Sequence, residues 1–190
     1  MGGDRAKSTQ ADIAHRTMII NGKSTTSEIF TDAVALGDGV FETLRTYNNH
    51  VFALERHLAR LKLGLNQIGV NGFEDSQVRE AVGQILQSEP LESGALRISV
   101  YADGTSVISH KPYKPPTEGL SCFTSFGDGM GNSYKSTSYS DRLALRRLAL
   151  VKSFDDMILV NREGDVSELS TSNLLLRIED KWLTPDLKSG

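Results

Sequence analysis

One change of apolar period limits what this chain can become. Residues 40–46 alternate well enough between apolar and polar to suggest the two-residue period of a strand with one buried face. After Tyr47-Asn48-Asn49-His50 and the short run Val51-Phe52-Ala53-Leu54, the period lengthens. Leu54, Leu58, Leu61, Leu65 and Ile68 recur along one face of a helix. Asparagine tolerates positive φ, so Asn48-Asn49 predicts a tight hairpin between the two patterns. A strand with one apolar face and a helix with one apolar stripe bury each other, which points to an α+β fold. The same pairing recurs further on. Asp75 is read as the N-cap of a second helix with Val78, Val82, Ile85 and Leu86 inward. Residues 95–101 then alternate, with Leu96, Ile98 and Val100 on one face and Arg97, Ser99 and Tyr101 on the other.

The remaining segments suggest two lobes. Residues 1–16 are polar and read as a flexible leader without a signal-peptide core. Residues 17–126 form a small N-terminal α+β domain that opens with a strand and turn at 17–23 and closes with a strand at 120–126. Residues 103–119, holding Pro112, Pro115 and Pro116, are expected to be loop. The glycine-rich stretch 127–133 reads as an interdomain linker. From 134 to 190 a second, larger domain begins, with a basic amphipathic helix at 141–152 and strands at 157–160, 173–178 and 182–184. One helix and these few strands are a thin complement for an independent sheet domain.

Charge and cysteine content remove several function classes. With 21 basic and 24 acidic residues and a net charge of −3, nothing in the overall balance favours nucleic acid or an acidic membrane. No apolar run approaches the roughly 18–20 residues of a membrane helix. The lone Cys122 forbids an internal disulfide and a cysteine-rich zinc site, and makes cytoplasm the default compartment. His15, His50, His57 and His110 are scattered without metal-ligand spacing, so no metal is expected. No G-x-S-x-G elbow marks a serine nucleophile. Gly37-Asp38-Gly39 is followed by a strand rather than a helix, so it reads as a tight turn and not as a dinucleotide loop.

Taken singly, Arg60 is a solvated charge on its helix, Lys135 one lysine among many, and Glu168 a strand-edge carboxylate. Together they form an ordered set. Gly37-Asp38-Gly39-Val40-Phe41-Glu42-Thr43, then Leu54-x-x-His57-Leu58-x-Arg60-Leu61, then Lys135-Ser136-Thr137-x-Tyr139, then Glu168-x-Ser170-x-x-Asn173 resembles the class IV aminotransferase family, the fold-type IV pyridoxal-phosphate enzymes. The resemblance spans roughly residues 17–190.

That resemblance implies a two-lobed fold, pyridoxal 5′-phosphate as cofactor, a small amino substrate and a homodimer. It implies that Lys135 is the Schiff-base lysine, the catalytic residue that also moves a proton. Glu168 would partner the pyridine nitrogen and Arg60 would anchor the phosphate. Tyr139 would reach the cofactor's phenolic oxygen, with Ser170 and Thr171 as further cofactor-binding residues. Arg97, on the polar face of its strand, is a candidate for a substrate carboxylate. Leu169 stands where many relatives carry glycine. The relatives' G-I-T-R-like helix start, which adds backbone donors to the phosphate, has no counterpart up to Gly190. The resemblance therefore implies an incomplete second lobe, with the phosphate resting mainly on Arg60. The motif wording is most similar to aminodeoxychorismate lyase-like members, which release pyruvate from 4-amino-4-deoxychorismate to leave 4-aminobenzoate. A D- or branched-chain amino acid aminotransferase and a non-catalytic dimer-forming remnant are the alternatives.

Overall fold

The computed structural model describes residues 18–20, 22–25, 34, 36–126 and 135–189. The expected leader at 1–16 and the expected linker at 127–133 lie outside the described residues.

A six-stranded antiparallel sheet dominates the first part of the chain. Its strands are β1 (Met18–Ile20), β2 (Lys23–Thr25), β3 (Gly39–Tyr47), β4 (His50–Val51), β5 (Ser93–Tyr101) and β6 (Ser106–Pro112), in the order β2-β1-β6-β5-β3-β4. The hairpin joining β3 to β4 turns on Asn48 and Asn49 at φ 46° and 63°, the conformation the sequence predicts there. Asn49 also accepts a hydrogen bond from the Leu91 N–H at 2.8 Å, which ties the turn to the start of β5.

Helices α1 (Leu54–Gln67) and α2 (Ser76–Ser88) cover one face of this sheet. Leu58, Leu61 and Leu65 of α1 and Val78, Ala81, Val82 and Ile85 of α2 pack with Val40, Leu44, Leu96, Ile98, Val100 and Ile108. The stripes read from the sequence are thus the stripes that are buried. Asp75 stands at the N-cap of α2 as expected, and its carbonyl accepts from the Arg79 N–H at 2.9 Å, but the side chain does not cap. It accepts instead from Arg79 Nε at 3.0 Å and NH2 at 2.8 Å, because a guanidinium one turn along competes for the carboxylate.

The expected loop at 103–119 also contains a strand. β6 runs through it and pairs with β5 on one side and β1 on the other. Its inward positions are Ser106, Ile108 and His110, all buried, so alternation is present but largely polar. The His110 imidazole is accommodated by a 2.8 Å hydrogen bond between Nε2 and Thr46 Oγ1. Pro112 ends the strand, and Pro115 and Pro116 follow in irregular chain.

A second sheet of three strands follows. β7 (Cys122–Phe126) pairs in parallel with β8 (Asp156–Val160), and β8 pairs antiparallel with β9 (Val166–Leu169). The crossover carries α3 (Ser140–Val151), which buries Ala149 against Met157 and Leu159. A hairpin of β10 (Leu176–Ile178) and β11 (Lys181–Leu183) stands beyond. Sheet membership changes between Pro112 and Cys122, ahead of the expected linker. Among the described residues no helix is long and apolar enough to cross a membrane.

Candidate functional site

Residues 135–137, which precede α3, pair by backbone with the first sheet. Only the far end of β3 pairs with β4, so one edge of its first half is open. Residues 135–137 fill that edge. The Phe41 N–H donates to the Lys135 carbonyl at 2.8 Å, and the Thr137 N–H donates to the Gly39 carbonyl at 2.8 Å. The Thr137 hydroxyl donates to the Gly37 carbonyl at 2.5 Å. Gly37 holds φ 68°, and a Cβ on Gly39 would lie 2.5 Å from the Val100 carbonyl oxygen. The Gly37-Asp38-Gly39 turn is the docking point of the Lys135 segment; Gly37 is required by its positive φ, and Gly39 by the close approach of β5.

Phe41, 3% exposed, is the hub around which the charged groups gather. Lys135 Nζ lies 5.8 Å from its ring centroid and the Arg97 guanidinium carbon 3.6 Å. The Tyr139 ring meets it edge-on at 5.2 Å and 87°. Lys135 is exposed as a whole residue, yet protein atoms crowd its amine enough to hold its pKa below the ordinary lysine value. Burial is the larger cause and the Arg60 charge the next. Burial likewise pushes the Tyr139 phenol up and the Arg97 guanidinium down.

Three polar ties position the remaining residues. Glu168 on β9 accepts from Arg142 NH2 of α3 at 2.6 Å through Oε1 alone. Tyr139 donates its hydroxyl to the Ser170 carbonyl at 3.2 Å. The Ser170 hydroxyl and N–H both turn to Asp156 Oδ1 at the start of β8, so its side chain is committed within the protein. Thr171 is exposed beside it.

On the other side of the sheet lies a buried carboxylate. Glu42, 1% exposed, accepts from Arg60 Nε and NH2 at 2.5 Å each and from His57 Nδ1 at 2.8 Å. The hydrogen bonds to Glu42 raise the Arg60 pKa. Phe52, Ala53, Arg56, His57 and Arg60 line a cavity of about 290 Å³ along this edge.

The structure thus gathers Lys135, Tyr139, Arg97 and Phe41 at one place. Glu168 and Arg60 are close enough for their charges to act on the Lys135 amine. Arg97 has no carboxylate partner among the described residues; its Nε reaches only Ser99 Oγ, at 3.3 Å. Sequence reasoning assigned no role to Phe41, Glu42, His57, Arg142 or Asp156. Glu42 carried a signal, a carboxylate on the apolar face of a strand. Arg142 looked like one more cation on a basic helix. Among the described residues no three metal-capable side chains converge.

Comparison with known proteins places this arrangement. The family model described as amino-transferase class IV matches residues 39–190. A branched-chain-amino-acid aminotransferase-like protein 2 of Arabidopsis thaliana is 26% identical over 182 residues, 83% of this chain but 33% of that protein. A D-alanine aminotransferase of Bacillus licheniformis is 27% identical over 159 residues, 73% of this chain and 55% of that protein. The chain therefore spans a third to about half of these curated relatives. A solved Legionella pneumophila structure described as "Putative 4-amino-4-deoxychorismate lyase" superposes with a TM-score of 0.77 at 22% identity, over 90% of this chain and 70% of that one. This last likeness carries the fold.

Proposed function

Since the chain belongs to the class IV aminotransferase family, we propose that it performs pyridoxal 5′-phosphate-dependent chemistry on a small carboxylated amine. The donor set supports this reading. A lysine amine with a lowered pKa, a carboxylate held through one oxygen by Arg142, and a guanidinium with one edge unpaired among the described residues suit an aldehyde, a ring nitrogen and a phosphate respectively. When bound, the cofactor supplies an electron sink for charge developing at the substrate carbon.

The roles divide among the chain's own residues. Lys135 holds the cofactor covalently and then, as a free amine, takes the proton from the carbon bearing the substrate amino group. Its lowered pKa favours the neutral, nucleophilic form. Glu168 offers Oε2 to the pyridine nitrogen and keeps a proton there. Arg60 holds the phosphate. Tyr139 packs beside Phe41, with its hydroxyl turned to the Ser170 carbonyl until the cofactor's phenolic oxygen competes for it. Ser170, through Asp156, fixes the turn after Glu168, and Thr171 adds an exposed hydroxyl there. Arg97 receives a substrate carboxylate; a half-buried cation without an acidic partner is the arrangement such a role needs. The catalytic unit is a homodimer of a cytoplasmic protein.

The observation that carries this reading is the backbone docking of residues 135–137 onto β3, which brings Lys135 and Arg97 to the same ring of Phe41. For the overall reaction we favour the lyase, with 4-amino-4-deoxychorismate as substrate and 4-aminobenzoate and pyruvate as products. The motif wording supports it. Amino transfer is the second reading, supported by the aminotransferase names of the two curated relatives. Pyruvate release from 4-amino-4-deoxychorismate, assayed beside amino transfer from D-alanine and from leucine, decides between them. Neither activity with cofactor bound leaves the remnant reading.

A further inference from the structure

Glu42 is an unusual occupant of its position. It follows Val40 and precedes Leu44 on the face of β3 that α1 and α2 cover, where a carboxylate is costly unless fully bonded. It is bonded on both oxygens. Oε1 takes Arg60 Nε, and Oε2 takes Arg60 NH2 and His57 Nδ1. His57 and Arg60 lie three residues apart on α1, so one helix face presents both donors. The forked bond uses one edge of the guanidinium. The other edge, at NH1, has no partner among the described residues, and the side chain is 48% exposed. Arg60 also lies near enough to Lys135 for its charge to act on the amine.

We propose that Glu42 is a positioning residue for phosphate recognition: it clamps the Nε–NH2 edge of Arg60, braced by His57, and leaves NH1 pre-aimed for an oxyanion. This rests on the reading of Arg60 as the phosphate-holding residue. The physical gain is preorganisation. A long side chain that is already fixed loses less freedom when its ligand arrives. A bidentate clamp also selects the direction of the remaining donors, which a lone salt bridge does not.

A counter-charge role makes the opposite prediction, and the sign of one effect separates the two. Glu42→Gln removes a negative charge beside Arg60. If Glu42 only neutralises, anion binding tightens; if it positions, anion binding weakens despite the added positive charge. The experiment titrates the wild-type chain, Glu42→Gln, Arg60→Gln and the double variant with pyridoxal 5′-phosphate and with pyridoxal, which lacks the phosphate. Affinity for pyridoxal reports the rest of the site and its fold.

The expected results are these. The wild type prefers the phosphorylated form, and Arg60→Gln loses that preference. Glu42→Gln lowers it about tenfold while pyridoxal affinity holds within about twofold. Glu42→Gln has no further effect once Arg60 is gone. An undiminished or increased preference in Glu42→Gln overturns the positioning role and leaves Arg60 as phosphate anchor. An undiminished preference in Arg60→Gln overturns the Arg60 reading itself, and a wild type without preference overturns both. Should Glu42→Gln misfold, Glu42→Asp keeps the charge and withdraws the carboxylate by one methylene. A reduced phosphate preference at unchanged pyridoxal affinity then supports the clamp, and wild-type preference overturns it.

Discussion

Helices α1 and α2 bury four and four residues respectively against the six-stranded sheet, whereas α3, of similar length, buries only Ala149 against the three-stranded one. Leu143, Leu148, Leu150 and Val151 of α3 stay exposed, as do Ile178, Trp182 and Leu183 on the β10–β11 hairpin. The two regions hold their candidate site residues by different means. In the first, Phe41, Glu42 and Arg97 stand on long strands locked by a closed apolar core. In the second, Glu168, Ser170 and Tyr139 are placed by polar ties: Arg142 to Glu168, Asp156 to Ser170, and Tyr139 to the Ser170 carbonyl. The contrast teaches that precision in a site can come from directional bonds where burial is sparse, and that such a region is then more sensitive to loss of a polar group than of an apolar one.

The largest expected effect breaks that contrast at its packing end. Leu61→Ala, at a fully buried position of α1, should cost about 2–5 kcal/mol of stability in urea denaturation. Leu150→Ala, 55% exposed on α3, should stay within about 0.5 kcal/mol. Comparable losses at the two sites would mean that the Leu150 side of α3 is covered after all.

Next in size comes the polar end. Asp156→Ala leaves the Ser170 N–H and hydroxyl without their acceptor and should cost about 1–3 kcal/mol. Hydrogen exchange should show the loss concentrated at β9 and the turn after it, with β3 and β5 protected as before. Uniform loss of protection across both sheets would show that the two regions unfold as one.

The smallest effect is electrostatic. Burial and the Arg60 charge lower the Lys135 pKa, so the folded chain binds fewer protons there than the unfolded chain just below the ordinary lysine value. Lys135 therefore makes stability rise with pH through that window, and its amine should react with an acylating reagent at lower pH than surface lysines do. Arg60→Gln should move the reaction midpoint upward. A midpoint that ignores Arg60 would remove the electrostatic link between the two regions.

Legibility in the sequence followed the same divide. The α1 and α2 stripes, the Asn48-Asn49 turn and the faces of β5 were readable because apolar periodicity and turn chemistry are local. β6 was not, because its inward positions are Ser106, Ile108 and His110, and a histidine bonded to Thr46 counts as polar until its partner is known. The motif residues could be named, but their fixings could not. Arg142 meets Glu168, and Asp156 meets Ser170, across distances in sequence that no periodicity reports. Asp75 was legible as the N-cap position, but its side chain is drawn off by an arginine one turn along.

The central claim, that residues 135–137 dock a cofactor-bearing lysine onto β3, is tested most directly by borohydride reduction with pyridoxal 5′-phosphate followed by peptide mass mapping. The account predicts a pyridoxyl group on the peptide containing Lys135 and its disappearance in Lys135→Ala, with the far-ultraviolet circular dichroism unchanged. A stable adduct on another lysine, or none at saturating cofactor, would contradict it.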